Sequence, residues 1–281
     1  MPRPNPTRAR ALALACAALL CPLAQAQEDD SEGGLALWEV GGLGFGVRQQ
    51  AYPGADEHVN RGLVLPFVIY RGKYLRADRQ TAGVRAVKTD NVEVDIGFAG
   101  AFGSSSKDID ARRGMPDLGT LVEFGPRIKW KLGEAWGGRF RLDLPLRGVF
   151  DLSDGMAHRG WSLEPEIGYR RSMDNGWSWG TSVSAVIGDR RINRTLYGVA
   201  PQYATADRPA YQASSGLVTW RLQATLSSAL TRDWRVFGFA RLDNVSGAAN
   251  RDSPLVRQTN GGTVGIGVAY TWLRSEARAY D

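Results

Sequence analysis

The chain has 281 residues, with 35 Lys and Arg against 29 Asp and Glu, 43% hydrophobic and 10% aromatic residues, two histidines and two cysteines. A net charge of +6, carried in part by the first residues, gives little support to nucleic-acid binding. Beyond residue 26 no apolar run approaches the ~20 residues that a membrane-spanning helix requires, which excludes a helical membrane protein.

The opening "MPRPNPTRARALALACAALLCPLAQAQ" places Arg3, Arg8 and Arg10 before a short apolar run, Ala11 to Ala24, that ends on Ala24-Gln25-Ala26. This is the layout of a secretory signal peptide, and it predicts removal of residues 1–26 and a mature chain from Gln27. Taking its three arginines from the 35 basic residues lowers the net charge from +6 to +3. Cys16 and Cys21 leave with it, so the mature chain carries no thiol and no disulfide. Neither cysteine follows the small-residue box of a lipoprotein.

The remaining residues, 27–281, carry no Pro- or Ser-rich linker and read as one domain. Twelve strands are expected, at about 38–49, 61–70, 74–78, 81–88, 91–102, 120–132, 139–150, 160–171, 176–187, 216–227, 234–243 and 262–272. Their signature is a period of two, because successive side chains leave a pleated strand on opposite faces. In "NVEVDIGFAGAF" Val92, Val94, Ile96 and Phe98 alternate with Glu93, Asp95 and Gly97. In "LVEFGPRIKWKLG" Phe124, Ile128, Trp130 and Leu132 oppose Glu123, Arg127, Lys129 and Lys131. "GRFRLDLPLRGVF" sets Phe140, Leu142, Leu144 and Leu146 against Arg139, Arg141, Asp143 and Arg147, and "GWSLEPEIGYRR" sets Trp161 and Ile167 against Glu164, Glu166 and Arg170. "GWSWGTSVSAVIG", "VTWRLQATL" (with Arg221) and "TVGIGVAYTW" continue the pattern.

Strands of roughly ten residues with this alternation are the mark of an antiparallel transmembrane β-barrel of the bacterial outer membrane. A soluble β-sandwich also alternates. The barrel is favoured because the apolar faces carry aromatics near strand ends, at Trp130, Trp161, Trp177, Trp220, Trp234, Tyr270 and Trp272, as girdles at a lipid–water interface do. Pro66, Pro126, Pro145 and Pro165 fall within strand-like runs and predict local bulges or bends. Connections alternate between short turns ("GEAWG", "MDNG", "LTRD", "KTDN") and long loops at 50–60, 103–119, 151–159, 188–215 and 244–261. Short turns on the periplasmic side and long loops outside put both termini in the periplasm.

"YPGADEH" from Tyr52, "LPFVIYRGKYL" from Leu65, "LYGVAPQYATADRPAYQASSG" from Leu196 and "DSPLV" from Asp252 make the chain similar to the MipA/OmpV family of outer-membrane proteins, the MltA-interacting scaffold family. The resemblance spans most of the mature chain. It implies a non-catalytic barrel that brings a murein transglycosylase and a penicillin-binding protein together at the outer membrane, its other partner being the membrane lipid. Other relatives look like surface antigens, adhesins or small channels. Such barrels usually end on an aromatic residue, whereas residues 273–281 extend beyond Trp272 here.

The residues expected to line the lumen are Glu93, Asp95, Glu123, Arg127, Lys129, Lys131, Arg139, Arg141, Arg147, Glu164, Glu166, Arg170 and Arg221. Opposed charges can pair and plug the interior, or line a narrow channel whose basic excess would favour small anions. A hydrolase would need His58 or His158 as its base. No spacing matches a metal motif and no cofactor is expected. The long loops read as a lid anchored by Tyr197, Tyr203 and Tyr211, or else as a receptor or adhesin surface.

Overall fold

The computed structural model describes residues 35–72, 75–77, 82–84 and 87–279; the expected leader, with both cysteines, lies outside them. Its strands are β1 (Trp38–Gln50), β2 (His58–Arg71), β3 (Leu75–Ala77), β4 (Ala82–Val84), β5 (Val87–Lys88), β6 (Val92–Ala101) and β7 (Leu121–Ala135). They continue as β8 (Gly138–Asp151), β9 (Ala157–Leu163), β10 (Glu166–Ser172), β11 (Trp177–Gly188), β12 (Gly216–Ala229), β13 (Trp234–Asn244) and β14 (Asn260–Arg274). The single α-helix among the described residues, α1 (Arg190–Tyr197), lies in a loop.

All pairings are antiparallel, and chain neighbours are sheet neighbours except that β4 does not pair with β5 and that β9 and β10 lie end to end, both between β8 and β11. β1 pairs with both β2 and β14, which joins the first strand to the last. The two ends of the hydrogen-bonded order are β4 and β5, which follow each other in the chain, and β5 pairs with β6. The sheet therefore closes on itself as a barrel, and its shortest strands form the seam.

Fourteen strands stand where twelve were expected because two expected strands are each divided. The expected strand 81–88 is split into β4 and β5, and 160–171 into β9 and β10. The second division falls at Glu164-Pro165, since proline has no N–H to donate to the ladder. Glu164 N still donates to Pro145 O at 3.2 Å and Ala185 N to Pro165 O at 3.2 Å, so the neighbouring strands stay in place.

The other three prolines do not produce the bulges expected of them. Pro66 pairs with Gly42, Pro126 with Ile96 and Pro145 with Arg127 in unbroken register. Each residue of an antiparallel strand offers its N–H to one neighbour only, so a proline forfeits one bond and the ladder on its other side holds the register. Register shifts fall instead at Val40/Gly41, Lys131/Gly133, Val149/Phe150 and Val186/Ile187.

The outer wall is apolar and open to the surroundings. Val64, Val68, Ile128, Ile167, Leu242 and Ile266 are exposed, Val64 at 86% and Ile266 at 73%. Charged side chains are buried inside, Asp95 at 1% and Asp243 at 3% exposure. This is the reverse of a water-soluble fold and is the arrangement of a barrel with lipid outside.

Trp130, Trp161, Trp220, Trp234 and Trp272 stand on the outer wall, each about half exposed, with Tyr270 packed on Trp234 at 4.7 Å between ring centroids and Trp177 half-buried beside them. Trp161 and Trp220 lie toward the long-loop end and the rest toward the short-turn end. Trp38, Trp136 and Trp179 also lie there and are exposed.

The described residues begin and end at the short-turn end. β14 runs two residues past Trp272, and the tail then folds onto the segment before β1. Leu37 N donates to Ala277 O at 2.8 Å and Ala279 N to Leu35 O at 2.9 Å. The residues expected as a short C-terminal extension thus form, up to Ala279, an added pairing with the start of the barrel.

Candidate functional site

One side of the interior, on β1, β2 and β13, is filled by Leu43, Phe67, Ile69 and Phe237, with Phe45 against them. Close packing there depends on glycine. A Cβ on Gly267 would stand 2.2 Å from the Phe237 ring, and one on Gly265 would stand 2.4 Å from the Phe239 ring. The opposite side, on β6 to β10, β12 and the long-loop end of β13, carries most of the charges, so what remains of the lumen is pressed against the charged wall.

Along that wall the charges alternate in sign from strand to strand. Arg127 grips Asp95 with two hydrogen bonds, Nε to Oδ1 at 2.9 Å and Nη2 to Oδ2 at 2.7 Å. Lys129 reaches both Asp95 at 2.7 Å and Glu93 at 3.0 Å. A second chain runs from Glu123 to Arg147 (3.6 Å), to Glu164 (3.0 Å), to Arg221 (2.7 Å), to Asp243 (2.9 Å) and to Arg241 (3.0 Å). Ser162 donates to Glu123 at 3.0 Å and Ser184 to Glu164 at 3.1 Å, satisfying remaining carboxylate lone pairs. Arg141 pairs with Asp143 at 2.9 Å. Buried ions need such partners, because an unpaired one carries a desolvation cost of several kcal/mol.

Of the residues expected in the lumen, Asp95, Arg127, Lys129 and Arg147 are buried. Glu93, Glu123, Arg139, Arg141, Glu164, Glu166, Arg170 and Arg221 are half-buried, and Lys131 is exposed at the short-turn end. Asp143, which the alternation puts on the polar face but which is not among the expected lumen residues, takes part as well; Arg241 and Asp243 were missed, as was the Arg71–Glu39 pair at 2.7 Å. The same alternation identifies the β13 residues, where Arg235, Phe237, Phe239, Arg241 and Asp243 share one face.

Among the described residues, two cavities lie in the space left. The middle one is about 160 Å³ and is bounded by Arg127, Arg147, Glu164, Arg221 and Arg241 on the charged side and Phe45 and Phe239 on the apolar side. The larger, about 400 Å³, lies toward the short turns and is lined by Lys131, Glu134, Arg139, Arg170, Ser182 and Thr225 among others. Arg141, Glu166 and Gln223 border both.

The other end is covered by the long loops. Tyr52 and Ala55 from the β1–β2 loop, Ile109 and Met115 from the β6–β7 loop, Tyr197 and Val199 from the β11–β12 loop and Leu255 from the β13–β14 loop form one buried cluster. These loops arise at separated points of the circumference, so their meeting spans the mouth. Asp189 caps α1 by accepting from Arg191 N at 2.9 Å and Ile192 N at 3.0 Å. The helix thereby delivers Tyr197, whose hydroxyl donates to Pro53 O at 3.0 Å.

Tyr52 donates to Leu255 O at 2.7 Å, Ser253 to Tyr197 O at 2.7 Å, and Asn250 Nδ2 to Asn193 Oδ1 at 2.9 Å. Tyr203 and Tyr211 pack on the edge of the cluster. Burial pushes the Tyr52 and Tyr197 phenols well above the usual tyrosine range. Burial also lowers the Arg112 guanidinium pKa. That guanidinium lies 5.8 Å from the centre of the Tyr52 ring and donates to Leu196 O at 3.1 Å.

His58 opens β2 opposite Gln50, at the long-loop end. His158 lies between the rings of Phe150 and Trp161, at 5.2 and 5.6 Å, with Arg191 at 3.4 Å from its Nδ1. The nearby Asp151 is taken by Arg159 at 2.9 Å. Among the described residues no group of three or more His, Cys, Asp or Glu is placed to hold a metal ion.

The family model described as "MltA-interacting protein MipA" matches residues 41–272. A search of curated proteins gives no match. Similar solved structures include an outer membrane channel from Pseudomonas putida F1, at 10% identity and TM-score 0.48, covering 88% of this chain and 100% of that one. The NanC porin has 12% identity and TM-score 0.37, with 84% and 99% covered. Outer membrane phospholipase A from Escherichia coli has 10% identity and TM-score 0.37, with 90% and 97% covered.

Proposed function

Because this chain belongs to the family of the MltA-interacting protein MipA, we propose that it is a non-catalytic barrel of the bacterial outer membrane that holds cell-wall enzymes at its periplasmic end. Residues 1–26 direct its export, and residues 27–281 form the single barrel domain. The partners are a murein transglycosylase and a penicillin-binding protein, and the surrounding lipid is the third contact. The family match carries this reading.

The geometry of the short-turn end supports it. The β7–β8 hairpin extends past the start of β6, since Val92 pairs with Trp130 while β7 continues to Ala135. Trp136 at its tip is 80% exposed. Trp136 and Gly137 both have positive φ, 54° and 73°, the geometry of a tight two-residue hairpin turn. Tyr169 donates to Trp136 O at 2.9 Å and holds the tip in place. A rigid, exposed aromatic on a projecting hairpin is a good anchor for a protein partner. A conducting channel is the weaker reading, because ion pairs line the charged wall of the middle lumen and the loop cap spans its outer mouth. The company of His158 lends little to a hydrolase.

The test is in-cell photo-crosslinking from Glu134, Trp136 and Asn175 at the short-turn end, with Asp110 and Arg208 in the cap as controls. Recovery of a murein transglycosylase from the first three positions alone is the expected result. Capture from the cap positions instead, or no cell-wall enzyme from any position, overturns the scaffold and its orientation.

A further inference from the structure

The charges of the two cavities follow different rules. In the middle lumen, residues directly opposite on neighbouring strands are mostly of opposite sign: Glu93 and Lys129, Asp95 and Arg127, Lys129 and Asp143, Arg221 and Asp243. Glu166 opposite Asp143 is an exception, with Arg141 adjacent to both. Around the larger cavity two facing pairs repeat in sign, Lys131 opposite Arg141 and Arg139 opposite Arg170, while Arg139 also faces Glu134 and Arg141 is paired with Asp143. Like charges directly opposite on a sheet are destabilising, and four of them here surround about 400 Å³ of space with only Glu134 and Glu166 as carboxylates in the lining.

The room is made by small residues. A Cβ on Gly168 would meet nothing closer than the Ser182 Cβ at 3.8 Å, so the wall could carry a larger side chain and does not. Ser182 and Thr225 offer hydroxyls to the same space. Toward the middle it is bordered by Arg141, Glu166 and Gln223, and beyond them lies the cap.

From this we infer that the larger cavity is a dead-end binding chamber for a small soluble oxyanion, bearing carboxylate or phosphate groups, that enters from the short-turn end and is held by Arg139, Arg170, Lys131 and Arg141. Guanidinium groups suit such ligands because their paired donors match two oxygens at once. The inference is independent of the scaffold, which concerns the outside of the same end.

The experiment is calorimetric titration of the full chain, purified in a zwitterionic detergent, with citrate and pyrophosphate as probes. One site per barrel is expected for at least one of them. The paired substitution Arg139→Gln with Arg170→Gln should weaken it about ten-fold or more. Gly168→Leu, which fills the chamber and removes no charge, should do the same. Migration of the unboiled protein on a gel reports whether each variant is still a folded barrel.

Absence of binding at millimolar probe overturns the inference, as does binding left intact by either folded variant. Repeating the titration in lipid discs with and without phosphatidylglycerol separates a soluble anion from a lipid headgroup. Citrate or pyrophosphate binding unchanged by the anionic lipid is expected, and its loss would overturn the soluble ligand.

Discussion

Glu164 and Arg221 stand 2.7 Å apart on the inner wall of the barrel although they are 57 positions apart in the chain, and the same carboxylate also reaches Arg147 at 3.0 Å. Glu164 thus joins β8 and β12 at the very position where Pro165 interrupts the strand ladder. Replacing it with alanine leaves two cations in the interior without this partner. A loss of about 3–5 kcal/mol is expected, by analogy with breaking other buried pairs. It would be read as a lower urea midpoint for unfolding in lipid vesicles; an unchanged midpoint would mean that water already screens this wall.

On the apolar side the prediction is steric. Gly265→Val places new carbon atoms inside the Phe239 ring and should cost about 1–3 kcal/mol or more through overpacking. The double variant Gly265→Val with Phe239→Ala should recover part of that loss. Melting of the two variants by circular dichroism decides the matter, and failure of the second change to help would place the obstruction elsewhere.

The outer face makes the opposite demand. Ile266, in the middle of β14 and exposed to the surroundings, should tolerate leucine. An arginine there should cost about 2–4 kcal/mol if the position lies near the bilayer midplane. The contrast is measured by folding equilibria in vesicles. A harmless Ile266→Arg would contradict a lipid-facing β14.

In the cap, Tyr197→Phe removes the hydroxyl that donates to Pro53 O and should cost about 0.5–1.5 kcal/mol. Tyr197→Ala opens a cavity in the loop cluster and should cost about 3–5 kcal/mol. Because the damage is confined to the loops, the alanine variant should be cut by protease between residues 189 and 215 while its barrel survives. Equal resistance of the two variants would mean that the cap does not depend on this side chain.

Asp117 gives the cap a dependence on acid. It accepts from Ser106 N at 2.6 Å and Ser105 Oγ at 3.3 Å, and these bonds hold its carboxyl below the ordinary aspartate value. A depressed folded-state pKa means that the stabilisation is present above the unfolded value and is lost as pH falls through the folded one. The protection of the Ser106 amide, its exchange rate relative to the intrinsic rate at the same pH, should therefore fall below the ordinary aspartate pKa. Asp117→Asn should remove most of that pH dependence.

The sequence by itself determined the wall. A strict period of two places Ile128 and Trp130 outward and Arg127 and Lys129 inward whatever the neighbouring strands are, because the pleat alone sets the face. That is why the barrel, its interior charges and most strand limits were legible. Pairing was not. Which carboxylate meets Arg221, or that Asp243 and Arg241 complete the chain begun at Glu123, depends on register between strands far apart in sequence.

The cap was only half legible for a related reason. "YPGADEH", "LYGVAPQY" and "DSPLV" marked the resemblance, yet nothing local says that Tyr52, Tyr197 and Leu255 share one buried cluster. Loops without a period leave their contacts to tertiary packing. The division of the lumen into an apolar side, an ion-paired middle and a basic chamber was likewise decided by the closed ring. Only closure brings Phe45 and Phe239 to face Arg127 and Arg147 across one cavity.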